Sequence, residues 1–416
     1  MATAIDLARD LPLAAIDVTP APLWQDGAFG PLFARLRAED PVHFCPDSAF
    51  GPYWSVTRYR DIVHVESLPD IYSSSWEYGG ITVLGEGPTL TAGEDPLPMF
   101  IAMDRPEHTA QRRTVSPAFT PSEMERLATD IRQRTASLLD SLPKGDAFDW
   151  VDQVSIELTT GMLAILFDFP WADRRKLTYW SDWMGDIEAA RHPELGPKRM
   201  EVIWEAGAYF TRLWQEREAA APAPDLISMM IHSDATRNMT PQEYLGNLIL
   251  LIVGGNDTTR NSMSGLAMTA TDFREEWAKV AADPSLIPTA AQELIRWQTP
   301  LAHMRRTTTQ DAELGGKTIP AGSKVVMWYM SGNRDEEVFP DADRFIADRA
   351  NARRHLAFGY GIHRCVGARL AELQLGILIE ELLKRQLLPV VVEAPTRVPS
   401  SFVHGYRKMM VELRPI

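Results

Sequence analysis

The sequence predicts one large, mainly α-helical domain with small β-sheets. Three observations lead there. Amphipathic helical spacing dominates from about residue 106 to residue 297. Strand-like apolar runs are short and scattered, near residues 53–56, 324–329 and 409–413. The C-terminal third is richer in Gly, Pro and Arg, a loop-forming composition. The 416 residues exceed an average domain, yet no internal repeat or low-complexity tract divides them. The Ala/Pro run at 219–224 is too short to separate two domains.

Bulk properties exclude several functions. Hydrophobic residues make up 45% and charged residues 24%, enough for an ordinary buried core. The net charge of -14 argues against a nucleic-acid binder, which carries a basic stripe. It leaves room for a local basic patch facing an acidic partner. The two cysteines, Cys45 and Cys365, suggest neither a disulfide framework nor a zinc pattern, and they fit a reducing cytoplasm. The longest apolar stretch, residues 248–253, falls far short of the roughly 18 residues of a membrane span. Residues 1–20 carry Asp6, Arg9 and Asp10 and lack the unbroken apolar block of a signal peptide. A cytoplasmic protein without a membrane span is expected.

One helix start is clear. Thr240-Pro241-Gln242-Glu243 places a capping Thr, a Pro at the first helical position and a Glu at the third. Apolar residues continue past Met263, so the helix extends for about 30 residues, roughly 45 Å. Inside it lies Gly254-Gly255-Asn256-Asp257-Thr258-Thr259. Two glycines cost a helix about 2 kcal/mol relative to alanines, and a Thr hydroxyl bonding back one turn bends it. A kink is expected here. Read alone, Gly254 and Gly255 fit close helix packing equally well. Glu293-Leu294-Ile295-Arg296 puts an acid and a base on one helix face.

The strongest signal is Phe358-Gly359-Tyr360-Gly361-Ile362-His363-Arg364-Cys365-Val366-Gly367. Glycines bracket one cysteine, and an amphipathic helix follows. A thiol just before a helix sits where N–H groups and the helix dipole favour a thiolate. Read alone, such a cysteine is more often a small buried hydrophobe, as expected for Cys45.

The full pattern F-x-x-G-x-H-x-C-x-G resembles the heme-binding loop of the cytochrome P-450 family, with His363 where many members have Arg. The resemblance covers nearly the whole chain from about Pro41. It implies a heme-thiolate monooxygenase domain at residues 41–416, preceded by an N-terminal extension at residues 1–40. It implies heme b as cofactor, Cys365 as the iron ligand and Phe358 beside it. The Gly254–Thr258 stretch is similar to the family's oxygen-binding motif. By that resemblance Gly254 and Gly255 leave room for O2, Asp257 relays protons from solvent, and Thr258 hands them on, with Thr259 as a secondary candidate. His108, Arg112, Arg305 and His363 match the positions that hold the heme propionates. Glu293, Arg296 and Arg344 match a structural network that holds the cysteine loop.

The chain looks closest to the bacterial terminal alkane and fatty-acid hydroxylases. Its carriers include Leu97-Pro98-Met99-Phe100-Ile101-Ala102-Met103-Asp104 and Ile295-Arg296-Trp297-Gln298-Thr299-Pro300-Leu301. This implies terminal hydroxylation of medium-chain linear alkanes or fatty acids. The alternatives are another apolar substrate, such as a terpenoid or cyclic compound, and a non-catalytic heme-binding sensor. Pocket candidates by family position are Ile81, Val83, Leu97, Met99, Phe100, Leu251, Val253, Leu301, Met304 and Phe402. Residues 85–95 and 185–197 match this branch poorly. No flavin, nicotinamide or iron–sulfur motif is present. By resemblance, electrons come from a 2Fe-2S ferredoxin and its NAD(P)H-dependent ferredoxin reductase. Arg113, Arg353, Arg354, Arg364 and Arg369 are the expected basic docking face.

Overall fold

A computed structural model describes residues 10–84 and 97–416. The poorly matching stretch at 85–95 lies outside them. Helix α1 (Gly30–Glu39) leads into strands β1 (Val42–Cys45) and β2 (Tyr53–Val56), then helix α2 (Tyr59–Ser67) and strand β3 (Tyr72–Ser73). The helical body begins with α3 (Glu107–Val115) and α4 (Pro121–Ser141), followed by the short strand β4 (Phe148–Asp149). It continues through α5 (Glu157–Leu166), α6 (Arg175–Met184), α7 (Leu195–Arg217), α8 (Pro241–Asp272) and α9 (Ile287–Gln298). Strands β5 (Met304–Thr308) and β6 (Lys324–Met327) return to the sheet. Helix α10 (Ala368–Lys384) and strands β7 (Leu387–Val391) and β8 (Met410–Pro415) complete the elements that frame the site. The mainly helical class with small sheets is thus observed.

A five-stranded sheet has the order β1-β2-β6-β5-β3, with β2 and β6 parallel and the other contacts antiparallel. A three-stranded sheet, β4-β8-β7, joins the start of the helical body to the last strand. Residues 10–40 do not stand apart from the domain. Ile16, Val18, Trp24, Leu32, Phe33 and Leu36 are buried in one cluster with Trp328 and Phe402. Leu32, Phe33 and Leu36 share one face of α1 at helical spacing, and that face is driven onto the sheet. The boundary expected at residue 41 is not a boundary in the core.

Helix α8 has 32 residues, close to the expected 30. Its capping box is complete: Glu243 N donates to Thr240 Oγ1 at 3.2 Å, and Thr240 N donates to Glu243 Oε2 at 2.8 Å. Buried residues occur on all its sides, as in a helix that passes through the protein interior. The helix runs unbroken through Gly254 and Gly255. A π-helical turn (Val151–Ile156) runs into α5 and packs on α8, where Trp150 Nε1 donates to Met263 O at 3.0 Å.

The base of the site is held by a buried charge network. Glu293 accepts from Arg296 Nε at 2.7 Å and Nη2 at 2.8 Å. Arg296 Nη1 donates to Asn333 O and Ala342 O, at 2.6 and 2.7 Å. The expected third cation, Arg344, is not in it. Its side chain reaches outward to Glu275 at 3.2 Å and is more than half exposed, and only its carbonyl faces Arg296. Arg349 takes the place, donating from Nε to Glu293 Oε1 at 2.9 Å.

Candidate active site

The cysteine loop closes where Cys365 N donates to Phe358 O at 2.7 Å. Gly359 and Gly361, at φ 67° and 65°, take the left-handed conformation that the turn requires. A Cβ on Gly361 would strike the Glu66 carbonyl. Helix α10 starts three residues after the cysteine, and the solvent-accessible surface of Cys365 faces a cavity between α8 and α10. Burial pushes the thiol up, against the Gly367 N–H, Arg112 and Arg364, which pull it down. The stabilising N–H expected at the helix start is therefore present but outweighed. Cys45 lies elsewhere, buried in the N-terminal cluster, its thiol pushed up to about 11 chiefly by burial.

Helix α8 forms the opposite wall, and its two glycines do different work. A Cβ on Gly254 would meet no atom within 4 Å, because this position opens on the cavity. A Cβ on Gly255 would come within 2.7 Å of Leu163 Cδ2, so this glycine permits close approach of α5. Thr258 Oγ1 donates to Gly254 O at 2.7 Å, the back-bond expected of a helical Thr. Asp257 is buried and also lines the cavity. Its Oδ1 accepts from Ser181 Oγ at 2.8 Å, Arg260 Nη2 at 3.0 Å and Asn256 Nδ2 at 3.3 Å. Arg260 Nη1 pairs with the half-exposed Asp182 at 2.7 Å. A polar chain therefore runs from the surface to the cavity. Burial raises the Asp257 carboxyl to about 6, although Arg260 opposes it. Sequence reading missed Ser181, Asp182 and Arg260, since α6 and α8 meet only in the fold.

One edge of the cavity collects donors for anions. His108 on α3 and His363 in the cysteine loop have ring centroids 4.2 Å apart. All four of their ring nitrogens are buried without a hydrogen-bond partner among the described residues. Burial first, with nearby arginines adding to it, pushes the two histidines down to about 4 and about 2. Arg112 and Arg306 also line this edge. Orphaned donors beside two arginines are costly unless acceptors bind there, and two propionate carboxylates fit that need. Arg305 is not part of the edge. Its Nη atoms donate to the carbonyls of Tyr78, Gly79 and Leu84. Consecutive strand residues point to opposite faces, so Arg306 faces the cavity and Arg305 the other side.

The remaining wall is apolar. Ile81, Leu97, Met99, Phe100, Leu251, Val253, Leu301, Met304 and Phe402 line it, with Phe358 on the cysteine side. Val83 does not. It is fully buried in the N-terminal cluster, and the cavity instead receives Leu84. Residues 97–100 are pinned to α8 by Asn247, whose Oδ1 accepts from Phe100 N at 2.9 Å. Gly246 makes this possible, since a Cβ there would overlap Pro98 O. From the poorly matching stretch at 185–197, Gly185 and Ile187 reach the cavity.

A thiol facing a wide apolar cavity, with anion-binding donors at one edge and an acid–alcohol pair overhead, defines a heme-thiolate site. Comparison with known proteins agrees. Residues 285–400 match the family model described as Cytochrome P450. The structure of Cytochrome P450-153 from Novosphingobium aromaticivorans is 55% identical, with a TM-score of 0.90, covering 96% of this chain and 99% of that one. Linalool 8-monooxygenase of Pseudomonas putida is 36% identical over 92% of this chain and 95% of its own length. Methyl-branched lipid omega-hydroxylase of Mycobacterium tuberculosis is 32% identical over 97% and 95%. The chain belongs to the cytochrome P450 family. It is a monooxygenase with heme b as cofactor, and it needs O2, a substrate and redox partners. Among the described residues no helix is long and apolar enough to cross a membrane.

Proposed function

We propose that this monooxygenase hydroxylates the terminal carbon of medium-chain linear alkanes or fatty acids. The observation that carries the reading is the lining above Cys365. Residues from four separate segments (81–84, 97–100, α8 and the strand region at 301–304) present aliphatic or aromatic side chains to one space. Such a lining suits an apolar chain. A terminal C–H is stronger than an internal one, so terminal selectivity rests on holding the methyl end forward and denying access to internal carbons. The similarity to a methyl-branched lipid omega-hydroxylase supports terminal attack.

Heme held by Cys365 supplies oxygen activation, which a thiolate ligand promotes. His108, Arg112, His363 and Arg306 hold its propionates. Asp257, held by Arg260 and Ser181, relays protons inward, and Thr258 delivers them beside Gly254. Electrons come from an acidic 2Fe-2S ferredoxin and its NAD(P)H-dependent reductase in the cytoplasm. The exposed Arg113, Arg353, Arg354, Arg364 and Arg369 form the docking face. The test is product analysis with a ferredoxin system on a series of linear alkanes and fatty acids, with linalool as competitor. Primary alcohols or ω-hydroxy acids are expected. Subterminal products, or turnover of linalool in preference to every linear chain, overturn the reading.

A further inference from the structure

Glu66, near the end of α2, belongs to no motif in the sequence, yet it lines the cavity and is 4% exposed. Its Oε1 accepts from Tyr329 Oη at 2.5 Å and from Arg306 Nη2 at 3.2 Å. Its Oε2 accepts from Tyr360 N at 2.6 Å. The residue therefore ties together the arginine of the propionate edge, the segment after β6 and the cysteine loop. Its backbone carbonyl also seats Gly361. The other end of Arg306 is fixed as well, since Nη1 donates to Arg305 O at 2.7 Å.

The charge is unusual for this place. Heme b brings two propionates to an edge whose cations are Arg112 and Arg306, and Glu66 adds a third anion. Affinity for anions alone would favour a neutral residue here. Burial pushes the Glu66 carboxyl up, and Arg306, Tyr329 and the Tyr360 N–H pull it down. Three donors converge on its two oxygens, an arrangement that suits an acceptor-only, ionised carboxylate.

We propose that Glu66 is a positioning residue for the heme, fixing Arg306 against a propionate, keeping the cysteine loop in register with it, and holding the bound iron toward its oxidised state through its negative charge. The tie is mechanical and the bias electrostatic, so two variants separate them. In the full-length holoprotein, Glu66→Gln removes the charge at nearly constant shape, while Glu66→Asp keeps the charge and shortens the reach. The readouts are the heme reduction potential and the rate of heme transfer to apomyoglobin. Glu66→Gln is expected to raise the potential and speed heme transfer about tenfold, matching loss of a charged hydrogen bond. Glu66→Asp is expected to speed heme transfer while leaving the potential nearer that of the parent. Unchanged heme transfer in either variant overturns the positioning role. A potential unmoved in Glu66→Gln, or raised as far in Glu66→Asp, overturns the electrostatic one. If Glu66→Gln does not accumulate folded, Glu66→Ala, which also removes the charge, replaces it in both measurements, and Glu66→Asp still decides the positioning role.

Discussion

Arg305 and Arg306 sit side by side in β5, and their side chains leave on opposite faces of the strand. Sequence alone supplies the pair but not the face, because the parity of a strand is set by what packs against it. Val83 and Leu84 pose the same problem in an irregular segment. That Cys365, Asp257 and Thr258 face one cavity follows from motifs whose residues lie within one turn or loop. Glu66 and Asp182 were not legible, because their partners are distant in sequence; Arg260 could have been read from its spacing of three residues from Asp257. Asp257 carries the prediction at this scale. Its folded value, about 6, lies above the ordinary 3.8, so the folded chain holds this proton more tightly than the unfolded chain. The resulting stability is complete below about pH 4 and lost as pH rises through about 6. Asp257→Asn is expected to flatten that part of the unfolding profile, measured in urea at a series of pH values. It is also expected to cut product formation roughly 10²-fold or more.

At the scale of elements, helix α8 was readable in full. Its start is written in a capping box and its length in the apolar run that follows. At the position of the expected kink the hydroxyl of Thr258 bonds back to the Gly254 carbonyl within an unbroken helix. The E-x-x-R pair on α9 was equally legible, while its third partner was assigned to Arg344 in place of Arg349. Both arginines lie in a segment of turns, where periodicity says nothing about direction. The two should behave very differently. Arg349→Ala leaves Glu293 partly unpaired inside the protein and is expected to destabilise by about 3–5 kcal/mol. Arg344→Ala removes an exposed pair and is expected to cost at most about 1 kcal/mol. Parallel denaturant titrations decide between this assignment and the reverse.

At the scale of the whole molecule, a net charge of -14 coexists with the five exposed arginines of the proposed docking face. An acidic donor is steered only where the local field differs from the overall one. Reduction by ferredoxin is therefore expected to slow as salt rises past about 0.1 M, where screening acts within about 10 Å. Arg353→Glu with Arg354→Glu should weaken ferredoxin binding and leave the carbon monoxide spectrum unchanged, as read by stopped-flow reduction. The burial of residues 16–36 has a consequence for biosynthesis. Trp24 stacks on Trp328 with ring centroids 5.9 Å apart, although roughly 300 residues separate them along the chain. At about 5–20 residues per second, the ribosome delivers the second tryptophan some 15–60 s after the first. For that interval the earliest-made apolar surface lacks its cover by Trp328 and Phe402, so the nascent chain depends on being shielded until its final quarter arrives.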